Sequence, residues 1–337
     1  MTFLRPLRVL VTGASGDAAV AFLTAIRRHD TDVFAADSDP LAAGLQMIGR
    51  QRAWAVPAAH DPAYIPSLLV RCQQNEIDML VPTDVADVRA LAEAAEAFEA
   101  IGTRVLVSKP ECIELCADHV QLMQRLDQTE WAPRWAVYDK KFRGSKWAYP
   151  FNLVPRLVGG SEGITVERGL RLLTVRNDGS HIAMEPMDGA RFSVHVLCRP
   201  DGEVVASVPV EHLRGQGHLP AVARTVNDPE LVRAGIEVAQ AVGMAFMGTV
   251  HLQRNAAGQL KAVAVTPRIA ALTPLIVAAG VHLPRLAVEL GLEPAKVLPA
   301  QECAFRAIGM VRTQRQTFVP ADGLTLNQHP NAVRKAG

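Results

Sequence analysis

The chain has 337 residues, of which 49% are hydrophobic and 20% are charged. This composition predicts a soluble globular protein of two or three domains and excludes a disordered chain. The formal net charge is +1 and there is no long basic run, which gives no support to nucleic-acid binding.

Neither a signal-peptide core nor an apolar stretch of spanning length is visible. We therefore expect a cytoplasmic protein without a membrane segment. The five Cys are an odd number without metal-type pairing. In a reducing compartment they predict buried thiols, and no metal site is expected.

Residues 1–110 alternate strands of the buried type with helices. Strands are predicted over 8–12, 32–36, 53–56, 77–83 and 104–107, and helices over 17–28 and 61–69. Alternation of this kind predicts a doubly wound parallel sheet with helices on both faces. The fold class is therefore α/β, with a Rossmann-like first domain.

A glycine loop, Gly13-Ala14-Ser15-Gly16, joins the first strand to the first helix, and Asp37 ends the second strand. A dinucleotide-binding fold holds its pyrophosphate and ribose at this spacing, so an NAD(P)-binding reductase is one possible function. The alternative, which we favour, is that the glycines only allow a tight turn and close helix packing. The sequence has no Tyr-x-x-x-Lys pair, since Phe142 stands four positions after Tyr138.

The remaining chain divides into four predicted segments. They are a helix and linker over residues 111–148, a small lobe over 149–210, a core over 211–320 and a flexible tail over 321–337. The small lobe is predicted from short strands separated by Gly turns. The tail is predicted from its polar composition without periodicity.

Near the end of the core, a strand over 248–253, a turn over 254–258 and the stretch Val263-Ala264-Val265-Thr266-Pro267-Arg268 follow one another. Together with residues 149–164, this pattern resembles the ATP-grasp superfamily, in the branch of the carbamoyl-phosphate synthase large chain. The resemblance extends over residues 7 to about 319. It implies an N-terminal parallel-sheet domain, a small antiparallel α+β lobe and a C-terminal α+β core, with the nucleotide held between lobe and core.

The resemblance implies two surviving elements of a nucleotide site. Backbone N–H groups of Gly159, Gly160 and Ser161 match the loop that cradles the phosphates. A plain hairpin turn explains these three residues equally well. Glu185 lies in the segment that matches the hinge against the adenine.

Other positions of the implied site carry residues of a different chemistry. His119 and Val154 stand at positions of phosphate-binding cations, Arg191 at that of a ribose-binding Glu, and His195 at that of an Asp. The implied magnesium ligands correspond to His251, Ala264 and Thr266, whereas Arg268 is retained. Magnesium prefers carboxylate oxygen, and none of these three side chains supplies it.

The sequence therefore predicts a non-catalytic pseudoenzyme without a cofactor. Its partner is expected to be a protein, a paralogous ligase or a small ligand, and a homodimer is a further option. The first alternative is an active ATP-dependent carboxylate–amine ligase with an atypical site. In that case ATP and magnesium are required, and Arg268, His119 and Glu185 hold the nucleotide. The second alternative is the NAD(P)-binding reductase.

Overall fold

The computed structural model of the chain describes residues 5–27, 31–158, 163–215 and 220–313. The helices are α1 (Asp17–Ile26), α2 (Ala43–Gln46), α3 (Tyr64–Gln74), α4 (Val85–Glu93), α5 (Ala95–Glu99), α6 (Pro110–Ala117), α7 (His119–Leu126), α8 (Pro229–Ala241), α9 (Thr273–Ala279), α10 (Leu283–Leu292) and α11 (Ala300–Cys303). The predicted loop at Gly159, Gly160 and Ser161 and the tail over 321–337 lie outside the described residues.

The strands form three sheets. The first contains β1 (Leu7–Thr12), β2 (Thr31–Asp37), β3 (Ala53–Ala55), β4 (Met79–Pro82) and β5 (Arg104–Val105). The second contains β6 (Trp135–Tyr138), β7 (Phe151–Pro155), β8 (Ile164–Val166) and β9 (His181–Met184). The third contains β10 (Arg191–Cys198), β11 (Val204–Arg214), β12 (Val222–Thr225), β13 (Phe246–Arg254), β14 (Leu260–Thr266) and β15 (Gly309–Val311).

The first sheet is parallel throughout, in the order β3-β2-β1-β4-β5. Val9 and Val11 of β1 pack in the cluster that holds Phe22 of α1, whereas Leu10 packs on the other face with Leu68 of α3. Helices α9 and α10, from the end of the chain, also cover the α1 face. Alternate residues of β1 are therefore buried on both faces, and the predicted doubly wound sheet is confirmed.

The second sheet is antiparallel, in the order β6-β9-β7-β8. Val154, Ile182 and Met184 face the cluster that continues into the core. Phe151 and Leu153 face the opposite way, into a separate small cluster. The sheet starts at Trp135, inside the segment that the sequence predicts to be a linker, because β6 pairs with β9 from Trp135 to Tyr138.

The third sheet has the order β14-β13-β10-β11-β12-β15. Its central strand β10 pairs with β13 on one side and β11 on the other, and Val194 and Val196 pack under α8. The hairpin of β10 and β11 therefore belongs to the core sheet. The second sheet ends at Met184, and the next two strands, β10 and β11, pair within the third sheet. The predicted small lobe over 149–210 therefore contains strands of both sheets.

The helix predicted within residues 111–148 is interrupted at Asp118. This residue adopts an extended conformation, with φ −116° and ψ 109°, and its Oδ1 accepts a hydrogen bond from the Val120 N–H at 2.8 Å. A side-chain acceptor at this position satisfies one of the free N–H groups at a helix start. The segment therefore forms two helices, α6 and α7, instead of one.

Within the described part of the chain, no single helix combines the length and apolarity needed to cross a membrane. Helices α9 and α10 reach the length and apolarity of a membrane span only when they are taken together, and they are bent by 92° relative to each other. Both carry buried residues that pack in the cluster shared with α1.

Candidate functional site

A band of polar side chains occupies one face of the core sheet. We call it the histidine strip, and it consists of Ser193 and His195 of β10, His212 of β11, Thr249 and His251 of β13, and Thr266 of β14. Register places these side chains together, since Ser193 pairs with His251, His195 with Thr249, and Thr249 with Thr266. Directly paired residues of antiparallel strands point to the same face.

The side chains of the histidine strip contact one another across the strands. Ser193 Oγ lies 2.9 Å from His212 Nε2 and 3.3 Å from His195 Nε2. Thr249 Oγ1 lies 3.3 Å from His195 Nδ1, and His251 Nε2 lies 3.1 Å from Thr266 Oγ1. The imidazole and hydroxyl groups therefore satisfy one another within the sheet.

His195 is the most deeply buried member of the strip, with 3% of its surface exposed. Burial, and to a smaller extent the neighbouring His212, lowers the pKa of His195 to about 3. At neutral pH its imidazole is uncharged, so it contributes no positive charge toward a phosphate.

The strip covers the positions at which the resemblance implies magnesium ligands. Ala264 pairs directly with His251, and its methyl group offers no donor atom. Hydroxyl and imidazole groups are poor ligands for a hard cation that prefers carboxylates. Among the described residues, no group of three or more His, Cys, Asp or Glu side chains is arranged to hold a metal ion. The donor set therefore does not fit magnesium.

Glu185, at the predicted hinge, connects the small sheet to the core. Its Oε1 accepts from the backbone N–H of Arg134 at 2.8 Å, and its Oε2 accepts from Asn255 Nδ2 at 3.1 Å. A backbone hydrogen bond from the Glu185 N–H to the Arg134 carbonyl, at 2.9 Å, completes the connection. Each carboxylate oxygen therefore already accepts a bond within the protein.

His119 and Val154 lie next to each other where α7 meets β7. His119 Nδ1 is 2.8 Å from the Pro155 carbonyl oxygen, and the His119 N–H donates to the Arg156 carbonyl at 2.7 Å. Val154 is half-buried against the core cluster. The structure thus brings the predicted positions His119 and Val154 to the same junction, although they are 35 residues apart in the sequence.

The junction of α7 and β7 is reinforced by an ion pair. The Arg156 guanidinium donates through Nε and Nη2 to the Asp118 carboxylate at 2.8–3.0 Å. Burial opposes ionisation of Asp118, but hydrogen bonds from Arg156 and from the Val120 N–H outweigh it and hold the pKa of this carboxyl below its ordinary value. The carboxylate therefore stays ionised to lower pH than an isolated aspartate does.

Arg268 and Arg191 flank the strip, since Arg268 follows Thr266 by two residues and Arg191 pairs with His212. Arg268 donates Nη1 to the carbonyl of Thr83, at the end of β4 in the first sheet, at 3.1 Å. Burial lowers the pKa of its guanidinium, and Asp84 partly opposes this effect. Arg191 shares the face of Ser193 on β10, but its side chain is exposed.

The glycine loop of the first domain is closed by its own neighbours. The Asp37 carboxylate accepts from the N–H groups of Ser15 at 2.7 Å and Asp39 at 2.8 Å. A side chain at Gly13 would lie 2.8 Å from Asp84 Cβ and 3.1 Å from Asp87 Oδ2. Carboxylates beside this loop disfavour a pyrophosphate, and the loop instead serves a tight turn with φ +68° at Gly13.

Sequence reasoning did not identify Ser193, His212 and Thr249 as members of this site. A usable signal exists for the strip on β10, where polar residues at 191, 193 and 195 alternate with apolar residues at 192, 194 and 196. His212 carries no such local signal, since only the pairing of β10 with β11 brings it to Ser193.

Three sheets in this arrangement, with a parallel first domain and a core covered by a small antiparallel lobe, define the ATP-grasp fold. A family model described as the PylC-like N-terminal domain matches residues 9–106. No curated protein matches the chain.

Several solved structures share the fold. Biotin carboxylase from Campylobacter jejuni superimposes with a TM-score of 0.68 at 15% identity, over 88% of this chain and 72% of that one. L-amino acid ligase from Bacillus licheniformis gives 0.68 at 16%, over 91% and 80%. N5-carboxyaminoimidazole synthetase from Staphylococcus aureus, complexed with ADP, gives 0.69 at 13%, over 88% and 79%. Identities this low establish a common fold and leave the activity open.

Proposed function

We propose that this chain is a carbamoyl-phosphate-synthase-like ATP-grasp protein that makes no acyl phosphate and acts as a binding or regulatory partner. The histidine strip carries the proposal. Where the resemblance implies acidic magnesium ligands, His251 and Thr266 contact each other and Ala264 offers no donor atom. A site without carboxylates lacks the oxygen ligands that hold the magnesium ions on the phosphates during phosphoryl transfer.

The phosphate side of the proposed site lacks cations in the same way. Val154 packs against apolar residues of the core, and His119 is buried with Nδ1 at 2.8 Å from a carbonyl oxygen. Charge-assisted hydrogen bonds are worth about 1.5–3 kcal/mol each. The loss of two such contacts weakens nucleotide binding by roughly 100-fold to 10,000-fold relative to an intact site.

Isothermal titration calorimetry with ATP in excess magnesium tests the proposal. We expect weak or undetectable heat, and the same result when magnesium is replaced by EDTA. Micromolar binding that requires magnesium contradicts the proposal. Titration of adenosine, which carries no phosphate, separates loss of the metal from loss of the adenine pocket at the proposed hinge of Glu185.

An active carboxylate–amine ligase with an atypical site is the second candidate. The fold shared with biotin carboxylase and L-amino acid ligase favours it, as does Arg268, which is held near the end of β14. This candidate requires magnesium-dependent ATP binding, so the calorimetric experiment distinguishes the two functions. The NAD(P) alternative has weaker support, because Asp37 already accepts two backbone hydrogen bonds.

A further inference from the structure

The segment from β6 to the start of β9 carries an excess of positive charge, most of which forms no ion pair in the part of the chain that the structure describes. From residue 131 to 181 there are nine Lys and Arg against four Asp and Glu, although the whole chain has a net charge of only +1. Four of these cations follow one another closely in the loop between β6 and β7, namely Lys140, Lys141, Arg143 and Lys146. We call them the basic loop.

All four side chains of the basic loop are exposed. None forms an ion pair with any residue that the structure describes, and Arg143 donates only to carbonyl groups of the loop itself. The nearest carboxylate in sequence, Asp139, accepts from the Lys141 N–H at 2.8 Å. The charge of the basic loop is therefore available to a partner.

Aromatic side chains hold the basic loop in one conformation. Phe142 and Trp147 of the loop have ring centroids 5.9 Å and 5.4 Å from Phe151 of β7. The Arg134 guanidinium lies 4.8 Å from the Trp147 ring centre. These contacts lie on the face of the small sheet opposite to Val154 and Ile182, which face the core. The loop is therefore anchored on the face of the small sheet that points away from the core, and a surface held by such contacts loses less entropy on binding.

Because these rings pack on one another, they are not free to stack on nucleic-acid bases. Single-stranded nucleic acids bind through basic grooves with available aromatic platforms. Tyr149 beside the loop is exposed, but its ring packs at 5.3 Å from Phe151, and a cation-rich loop of this kind is better suited to carboxylates on a protein surface.

A complementary surface is present on the first domain of the same chain. Glu93 at the end of α4 and Glu96 and Glu99 of α5 are exposed, with no Lys or Arg between Arg89 and Arg104. No ion pair joins any of these three to another described residue. Glu96 and Glu99 are three residues apart and therefore share one side of the helix. We call these three residues the acidic stripe.

We propose that two copies of this chain associate by docking the basic loop of one copy on the acidic stripe of the other. Opposite charges across such a contact accelerate association and select the partner. Two copies related by a twofold axis form the contact twice, and this closes the assembly as a dimer. The proposal is independent of nucleotide binding, since neither surface includes a residue of the histidine strip.

Sedimentation velocity of the full chain tests the proposal. At about 20 mM salt we expect a concentration-dependent dimer that dissociates at about 300 mM salt, because exposed charges are screened as the Debye length falls. Lys140→Glu/Lys141→Glu and Glu96→Lys/Glu99→Lys should each weaken association by about tenfold or more. A monomeric wild type at low salt overturns the proposal.

The decisive measurement is the mixture of the two charge-reversed variants. In that mixture the loop made acidic by Lys140→Glu/Lys141→Glu faces the stripe made basic by Glu96→Lys/Glu99→Lys. The second contact of the dimer joins the wild-type basic loop of one variant to the wild-type acidic stripe of the other. We therefore expect a heterodimer from two variants that do not self-associate, and renewed self-association when all four substitutions are combined in one chain. Failure of the mixture to associate contradicts the proposal. The control Arg50→Glu/Lys109→Glu, at two exposed residues, changes the net charge as much as Lys140→Glu/Lys141→Glu does and should leave the dimer intact.

Discussion

His251 Nε2 lies 3.1 Å from Thr266 Oγ1, across the two strands on which the resemblance implies magnesium ligands. The contact joins the imidazole of β13 to the last residue of β14, beside Ala264. Because the imidazole and the hydroxyl satisfy each other, this part of the sheet is stable without a bound metal.

Restoration of charges should restore nucleotide binding if the scaffold of the site is intact. We expect Val154→Lys/Ala264→Glu/Thr266→Asn to show a magnesium-dependent rise in melting temperature with ATP. The carboxylate and amide return oxygen ligands for the metal, and the lysine adds a phosphate contact. A ligand at 100 times its dissociation constant stabilises the folded state by about 2.7 kcal/mol.

The parent protein and an EDTA-treated sample of the variant are the controls. A shift already present in the parent supports the active-ligase candidate instead. If the repaired protein folds and shows no shift, Arg191→Glu is the next change, since an exposed cation stands where the resemblance implies a ribose-binding carboxylate.

Much of the fold could be predicted from the sequence because its pattern is local. Strands β1, β2 and β4 are apolar runs between helices, and burial on both faces of a parallel sheet requires such runs. The pair of β13 and β14 could be predicted from two apolar strands around the turn at Asn255-Ala256-Ala257-Gly258. In these segments, whether a residue lies in a helix or a strand can be predicted from the residues next to it in the sequence.

The assignment of strands to sheets could not be predicted in the same way. Strands β10 and β11 follow the strands of the small lobe in sequence, and the Gly turns at Asp188-Gly189 and Asp201-Gly202 resemble the turn of the lobe at Asp178-Gly179. Their place in the core sheet is fixed by pairing between Ser193 and His251, 58 residues apart. The same holds for the candidate site, where His212 reaches Ser193 only through the register of β10 and β11.

The Asp118 carboxylate should stabilise the junction of α7 and β7. Asp118→Ala removes both the cap on the Val120 N–H and the ion pair with Arg156. We expect a loss of about 1–3 kcal/mol in the free energy of unfolding at pH 7, measured by urea denaturation. Asp118→Asn keeps the capping oxygen and should lose less.

The Asp118 contribution should also depend on pH. The pKa of this carboxyl is lowered in the folded state, so its stabilisation is fully present above the unfolded pKa of about 3.9 and is lost as the pH falls through the folded value. The difference between wild type and Asp118→Asn should therefore shrink below about pH 4. A difference that stays constant to pH 2.5 is inconsistent with an ionised pair.

His195 should make the protein less stable in mild acid. Its pKa is about 3 in the folded state and about 6.5 when unfolded. Between these values the unfolded chain binds a proton that the folded chain does not, so stability falls as the pH falls. The expected loss from pH 7 to pH 5 is about 2 kcal/mol from this group.

His195→Gln should remove this dependence of the free energy of unfolding on pH, whether or not the substitution changes the stability at pH 7. The measurement is the slope of the free energy of unfolding against pH between 5 and 6.5. His60→Gln is the matched control, because His60 is exposed and should keep the wild-type slope. Equal slopes for wild type and His195→Gln would show that the buried imidazole is not the source.

Gly235 should be required for the close packing of α8 on the core sheet. A Cβ at this position would lie 2.4 Å from Val194 Cγ1 and 3.0 Å from Val194 Cβ, on a side chain that is fully buried. Because neither the helix nor the sheet can yield without losing contacts, Gly235→Ala should cost about 1–3 kcal/mol. Gly49→Ala, which meets no atom within 4 Å, should cost far less.

The cause of this loss can be isolated with a double-mutant cycle. Val194→Ala alone leaves a cavity and destabilises the protein, but it also removes Cγ1, the atom that a new methyl group at residue 235 would approach most closely. Gly235→Ala/Val194→Ala should therefore be more stable than the sum of the single changes predicts, by about 1 kcal/mol or more. Thermal or urea unfolding of the four proteins gives this coupling energy directly. Strict additivity would mean that α8 shifts as a whole and that the contact with Val194 does not limit its approach.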